Sequence, residues 1–269
     1  MKQLLVAPYW GVRTRVDPGT DTVARAMAFA VRMPPRAFYF GRTTAALLDL
    51  PIPRRFSSET ALHVGVRAGD RRVEIVGVVP HHVRVDARDV VSRRGVQMTS
   101  PERTWCDLAV SLSLPELVAA GDRLIWRRNP LALETEVRGC VERYEGRRGA
   151  RMMRTALALL SDASDSAPES EIRIAIALAG FPAPAVNAEV RLSTGQAIHP
   201  DLSWPKFRIA IEYEGDHHRT DRGQWNRDIQ RFASLADDGW RTYRATAEDY
   251  RSPRRLLLWL ARQLPQSAH

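Results

Sequence analysis

The chain has 269 residues, 44% of them in the hydrophobic set, and a formal net charge of +9. That length and apolar content are enough for a sizeable core and allow two compact domains, which excludes a disordered chain. No run of about eighteen uncharged apolar residues occurs and Pro8 breaks the start MKQLLVAPYW, so the sequence predicts a soluble, unsecreted protein with no membrane partner.

The two cysteines, Cys106 and Cys140, have no metal-ligand spacing, and they read as buried thiols in a reducing cytoplasm. The positive charge is uneven. Residues 1 to 160 hold 26 Arg and Lys against 16 Asp and Glu, whereas residues 161 to 269 hold 14 against 15. An excess of that sign favours a polyanionic partner, because each cation set on a phosphate releases condensed counterions. A solvated arginine-rich surface is the plainer alternative.

In chain order, residues 21 to 33 (DTVARAMAFAVRM) and 42 to 50 (RTTAALLDL) carry helical apolar spacing, and Pro51 and Pro53 stop the second stretch. From Ala61 the period changes to alternation. LHVGVRAGDRRVEIVGVV reads as two strands joined at Ala68-Gly69-Asp70, and VRVDARDVV and RGVQMT continue the pattern. Ser100-Pro101-Glu102 and then Ser113-x-x-Glu116 are helix starts, with further helices over 131 to 145 and 150 to 160. Residues 161 to 168, SDASDSAP, have no large apolar side chain and read as a linker.

Beyond the linker the pattern gives a helix over 168 to 179 and strands over 186 to 192, up to Asp201, and in FRIAIEY. A polar loop EGDHHRTDRG, a helix from Gln224 to Asp237, a strand WRTYRA and a closing helix follow. With a turn near Pro205-Lys206, Asp201 and Glu212 stand opposite each other on antiparallel strands, and Glu214 faces the same side as Glu212. Carboxylates about 5 Å apart repel by roughly 3 kcal/mol at an effective dielectric near 20, a cost that a divalent cation reverses. Oxygen ligands without thiolate favour Mg²⁺ or Mn²⁺. The bland readings are a turn for Asp201, an arginine salt bridge for Glu212 and a capping box with Ser166 for Glu169.

The α-β-β-β-α-β order, with HPDLSWPKFRIAIEYEG in the slots of an Asp followed by Glu-x-Lys, resembles the PD-(D/E)XK nuclease superfamily. Glu169-Ser170, DLSWP, IEYEGDHH, Gln224, Asp228 and Arg231 resemble, more narrowly, an endonuclease-domain family related to very-short-patch mismatch-repair (Vsr) endonucleases. The resemblance implies a metal-dependent DNA endonuclease that hydrolyses phosphodiesters, cutting one strand or both. Asp201, Glu212 and the helix-borne Glu169 would hold the metal. His217 or His218 would position the attacking water or shield the leaving oxygen, and Asp228 with Arg231 would brace the site. The superfamily lysine is replaced by Glu214, so Lys206 or Arg244, a histidine or a second metal would have to supply its charge.

The segments RTTAALLDLPIP and TSPERTWCDLA resemble proteins related to the type IV abortive-infection antitoxins. That likeness implies DNA binding by the head, with Arg36, Arg42, Arg54 and Arg55 on phosphates; alternatively, Thr99, Ser100 and Arg103 only shape a helix start. The expected fold is α/β. It has a winged-helix-like helical head (1–60), an α+β antitoxin-like body (61–160), a linker (161–168) and a restriction-endonuclease-like αβββαβ core with a mixed sheet (169–269). The rival readings are an antitoxin-like DNA-binding regulator whose nuclease fold is inactive, and a nuclease acting on RNA. A toxin or repair partner is left open.

Overall fold

In the computed structural model the described residues are 5–144, 146, 148–215 and 222–265, with the backbone alone described over 222–229. The protein is mixed α/β, and among the described residues no helix is long and apolar enough to cross a membrane.

The first unit comprises α1 (Thr22–Ala30), β1 (Phe38–Tyr39), α2 (Gly41–Leu47), β2 (Leu62–Arg67), β3 (Val78–Val83), β4 (Val90–Arg93) and β5 (Val96–Thr99). The helices α3 (Pro101–Leu108), α4 (Leu114–Ile125), α5 (Glu134–Arg143) and α6 (Ala150–Leu157) complete it. Its sheet runs in the order β3-β2-β1-β5-β4. Because β1 pairs with both β2 and β5, the residues expected to form a separate head share one sheet with those of the body. They share one core as well, with Phe29, Tyr39 and Leu47 packed in the same cluster as Val64, Met98, Trp105 and Leu117. A boundary near residue 60 is therefore not a boundary between cores.

The strand pair expected to turn at residues 68 to 70 is also different. β2 pairs with β3 in parallel, Leu62 against Val78 through Arg67 against Val83, so residues 68 to 77 carry the chain back along the sheet. Val73 is buried in the core, which explains the alternation there without a strand. At the start of α3 the Ser100 hydroxyl accepts from the Arg103 amide. The buried Arg103 guanidinium donates to Asp89 at 2.8 Å and to Asp107 at 3.0 Å, and the Tyr144 hydroxyl donates to Asp107. In this segment the structure gives these residues an internal, load-sharing ionic network, and desolvation pushes the Asp107 carboxyl up to about 6.

The second unit comprises α7 (Ala167–Leu178), β6 (Ala185–Val186), β7 (Val190–Arg191), β8 (Ala197–Ile198), β9 (Leu202–Trp204) and β10 (Ile209–Tyr213). It ends with α8 (Arg222–Asp237), β11 (Arg241–Ala245), α9 (Ala247–Arg251) and α10 (Arg254–Ala261). The strand expected over 186 to 192 is split into β6 and β7, because Asn187 leaves the extended region at φ 44°. The sheet order is β11-β10-β9-β6, antiparallel except for β10 with β11, which α8 connects as a crossover. Ile209, Ile211, Leu202 and Trp204 pack with Ile172 and Ile176 of α7 and Leu256 and Leu260 of α10. On the opposite face Ala210 packs with Leu235 of α8 and Trp240.

The segment expected as a linker is tied down. The Ser161 amide donates to Asp122, Ser164 is buried, and Arg173 of α7 donates to Asp122 at 2.7 Å. Ile174 belongs to the first core while its neighbours Ile172 and Ile176 belong to the second, so α7 serves both.

Candidate functional site

The register of β9 with β10 pairs Trp204 with Ile209, Ser203 with Ala210 and Leu202 with Ile211, and one further step sets Asp201 opposite Glu212. Residues opposite each other on antiparallel strands share a face. Alternation puts Glu212 with Ala210 on the α8 face, and Arg231 of α8 donates to Glu212 Oε2 at 2.6 Å. Arg231 also bears on Asp201, whose carboxyl its charge pulls downward. The parallel register adds Arg244 of β11 as the partner of Glu212. The Arg244 guanidinium lies 4.8 Å from the Phe232 ring of α8 and pairs with the Glu214 carboxylate.

Glu169 enters from the first turn of α7. Its Oε2 accepts from the Asp165 amide at 3.0 Å and from Asn187 Nδ2 at 3.1 Å, so it helps to close the helix start and also faces the sheet. Asn187 sits beside Asp201, whose carbonyl accepts its amide. The Tyr213 amide donates to Asp201 Oδ2 at 2.7 Å and fixes that carboxyl. Sequence reasoning overlooked Asn187; an asparagine between short apolar strands, tolerant of a left-handed backbone, was the available signal.

The electrostatics follow from burial. Desolvation, and after it the Glu169 charge, pushes the Asp201 carboxyl up to about 7. Desolvation raises Glu169 too, against hydrogen bonds from Ser166, Asp165 and Asn187 that favour its charged form. Both carboxyls are thus raised chiefly by burial, and the Glu169 charge adds to the rise at Asp201.

The expected metal trio of Asp201, Glu212 and Glu169 is not assembled as three converging ligands. Among the described residues no group of three His, Cys, Asp or Glu side chains lies close enough to hold an ion, and Glu212 is engaged by Arg231. His217 and His218 lie outside the described residues. Asp228 lies on α8, but its side chain is outside them as well. Lys206 is in the turn between β9 and β10, five residues from Asp201. It therefore lies at the opposite end of β9 from Asp201.

The arginines assigned to phosphate contacts are mostly engaged. Arg36 pairs with Asp70 at 3.0 Å, Arg42 with Glu59 at 2.6 Å, and Arg55 with Glu116. Arg54 is exposed in the short 3-10 turn Arg54–Phe56. Pairing of this kind leaves little net positive potential at Arg42 and Arg55 to draw in a polyanion.

No protein-family model matches the chain, and no solved structure matches it. Among known proteins it is similar to two uncharacterised proteins of Mycobacterium tuberculosis, one from strain CDC 1551 / Oshkosh and one from strain ATCC 25618 / H37Rv. Each is 29% identical over 264 residues, a stretch that covers 98% of this chain and 93% of the relative.

Proposed function

We propose that the C-terminal unit is a metal-dependent endonuclease of the PD-(D/E)XK type that hydrolyses DNA phosphodiesters. The observation that carries this reading is the register that sets Asp201 opposite Glu212, with Asn187 bridging the Asp201 carbonyl and the Glu169 carboxylate. The strand order β11-β10-β9-β6, with α7 before it and α8 as the parallel crossover, supports the same reading through the superfamily's αβββαβ core.

The donor set fits magnesium or manganese as a two-carboxylate site. Mg²⁺ keeps several waters and takes one or two protein carboxylates, with substrate phosphate completing its shell. Asp201 and Glu169 would hold the ion, which would supply Lewis acidity toward a phosphate oxygen and toward the attacking water. The chain's own residues do the rest. The Tyr213 amide holds the Asp201 carboxyl in place and Asn187 that of Glu169. Arg231 and Arg244 lie on this face, each paired with a carboxylate, Glu212 and Glu214, and would have to trade those partners for the phosphate to take on the duty left open by Glu214 in the lysine slot.

One observation favours the rival reading of a DNA-binding regulator with an inactive nuclease fold: an arginine, Arg231, already neutralises Glu212. Plasmid relaxation separates the two. With Mg²⁺ or Mn²⁺ the native chain nicks or linearises supercoiled DNA, while Asp201→Ala and Glu169→Ala remain folded and do not. A native chain inactive with both ions, or activity undiminished in Asp201→Ala, removes the enzyme reading.

A further inference from the structure

The topology of the first sheet brings scattered arginines to one edge. Arg67 ends β2, and the parallel register sets Val83 beside it, so Arg84 leaves β3 at the same end. β1 runs antiparallel to β2, with Phe38 against Gly65, which carries the residues before β1 up to that end; the Arg36 ion pair with Asp70, just past β2, agrees. β5 is parallel to β1, and the β4–β5 hairpin therefore turns there, with Arg93 against Val96 and Arg94-Gly95 at its tip. Arg36, Arg67, Arg84, Arg93 and Arg94 are all exposed. Across the order β3-β2-β1-β5-β4 they span four interstrand steps, about 19 Å at the usual spacing.

Two features set this rim apart from a merely solvated basic face. Arg67, Arg93 and Arg94 make no ion pair among the described residues, unlike Arg42 and Arg55. The tip itself is strained: Arg94 and Gly95 both have positive φ, 51° and 77°. A two-residue turn of this kind favours asparagine followed by glycine, and an arginine there costs backbone energy that local folding does not require.

We infer that this end of the five-stranded sheet is the duplex-DNA-holding surface of the protein. A row about 19 Å long reaches phosphates on both sides of a major groove about 12 Å wide. Arginines there contact phosphate without reading sequence, and they hold the polymer for the second unit. The inference rests on DNA as the polymer of the proposed function, and it moves the contact from Arg42, Arg54 and Arg55 to the sheet end.

The test is fluorescence anisotropy of the full chain with a labelled duplex in EDTA across a salt series, so that a failure to cut and a failure to bind are read separately. Arg94→Asn is the key substitution, because it removes the charge while giving the turn its preferred residue, so a loss of binding does not reflect unfolding. Combined with Arg67→Gln and Arg93→Gln, it weakens binding by at least about tenfold near 0.1 M salt and lowers the salt slope by about three. Arg54→Gln binds like the native chain. Native-like affinity and slope in the triple variant, absence of duplex binding by the native chain, or tighter binding of single-stranded DNA or of RNA would each overturn the inference.

Discussion

Arg231 of α8 reaches across to β10 and donates to the Glu212 carboxylate at 2.6 Å. Glu212 is almost wholly buried, its side chain 3% exposed, while that of Arg231 is 34% exposed, so the cation sits at the mouth and the anion inside. Removing the cation strands a buried carboxylate, whereas neutralising the carboxylate does not. Arg231→Ala therefore lowers unfolding free energy in urea by about 2 to 4 kcal/mol, and Arg231→Ala combined with Glu212→Gln recovers part of the loss. Additive losses in the double variant would show that the pair does not couple the helix to the strand.

Asp201 gives the site a pH signature. An ordinary aspartate in the unfolded chain titrates near 3.8, and in the folded protein burial and Glu169 push it up to about 7. Between those values the folded state holds a proton that the unfolded state has released. Its contribution is therefore most favourable at the acid end and declines as pH rises from about 4 to about 7. The expected outcome is that Asp201→Asn gains on the native chain in thermal unfolding as pH is raised from 5 to 8. A constant difference across that range would count against the raised carboxyl.

The proposed two-carboxylate site predicts that a divalent ion stabilises the protein apart from any turnover. At pH 8 saturating Mn²⁺ raises the melting temperature of the native chain, since it binds the folded state alone, and leaves Asp201→Asn unmoved. Asn187 supports the site from outside the pair. Asn187→Gly keeps the positive φ while deleting the donor to Glu169, and it weakens Mn²⁺ affinity about 10- to 100-fold by titration calorimetry. Unchanged affinity would remove Asn187 from the site.

Much of the second unit could be read from its residues, because its signals are local. Asp201 and Glu212 fall at the ends of short apolar strands separated by a proline turn, and that spacing alone fixes the register that sets them opposite. An arginine salt bridge for Glu212 and a bracing role for Arg231 were both readable, but not that the two are one contact. Arg231 lies nineteen residues beyond Glu212, and the packing of α8 on the sheet through Leu235 brings its side chain to that strand. The first unit was harder to read for a different reason. Alternation in RRVEIVGVV fits a hairpin as well as a crossover that tucks in Val73, and the pairing partner of β1 is remote in sequence. Likewise, SDASDSAP has the composition of a linker, yet its amides and hydroxyls find partners on α4 and α7.

That last feature couples the two halves. α7 places Ile174 in the first core and Ile172 and Ile176 in the second, and Arg173 between them donates to the buried Asp122 of α4 at 2.7 Å. Arg173 also donates to the Leu159 carbonyl at 2.8 Å, at the end of the first unit. Desolvation raises the Asp122 carboxyl even beside this cation, so Asp122 depends on Arg173 to remain charged. A helix that cannot leave one core without uncovering the other should make the units unfold together, and the native chain is expected to show one calorimetric transition. Arg173→Met keeps much of the stem but leaves Asp122 to the Ser161 amide and the Ser170 hydroxyl. That change is expected to cost about 3 kcal/mol and to split the transition in two, with the C-terminal unit melting as a separate step. A single transition shifted as a whole would mean that Ile172, Ile174 and Ile176 hold the units together without the ion pair.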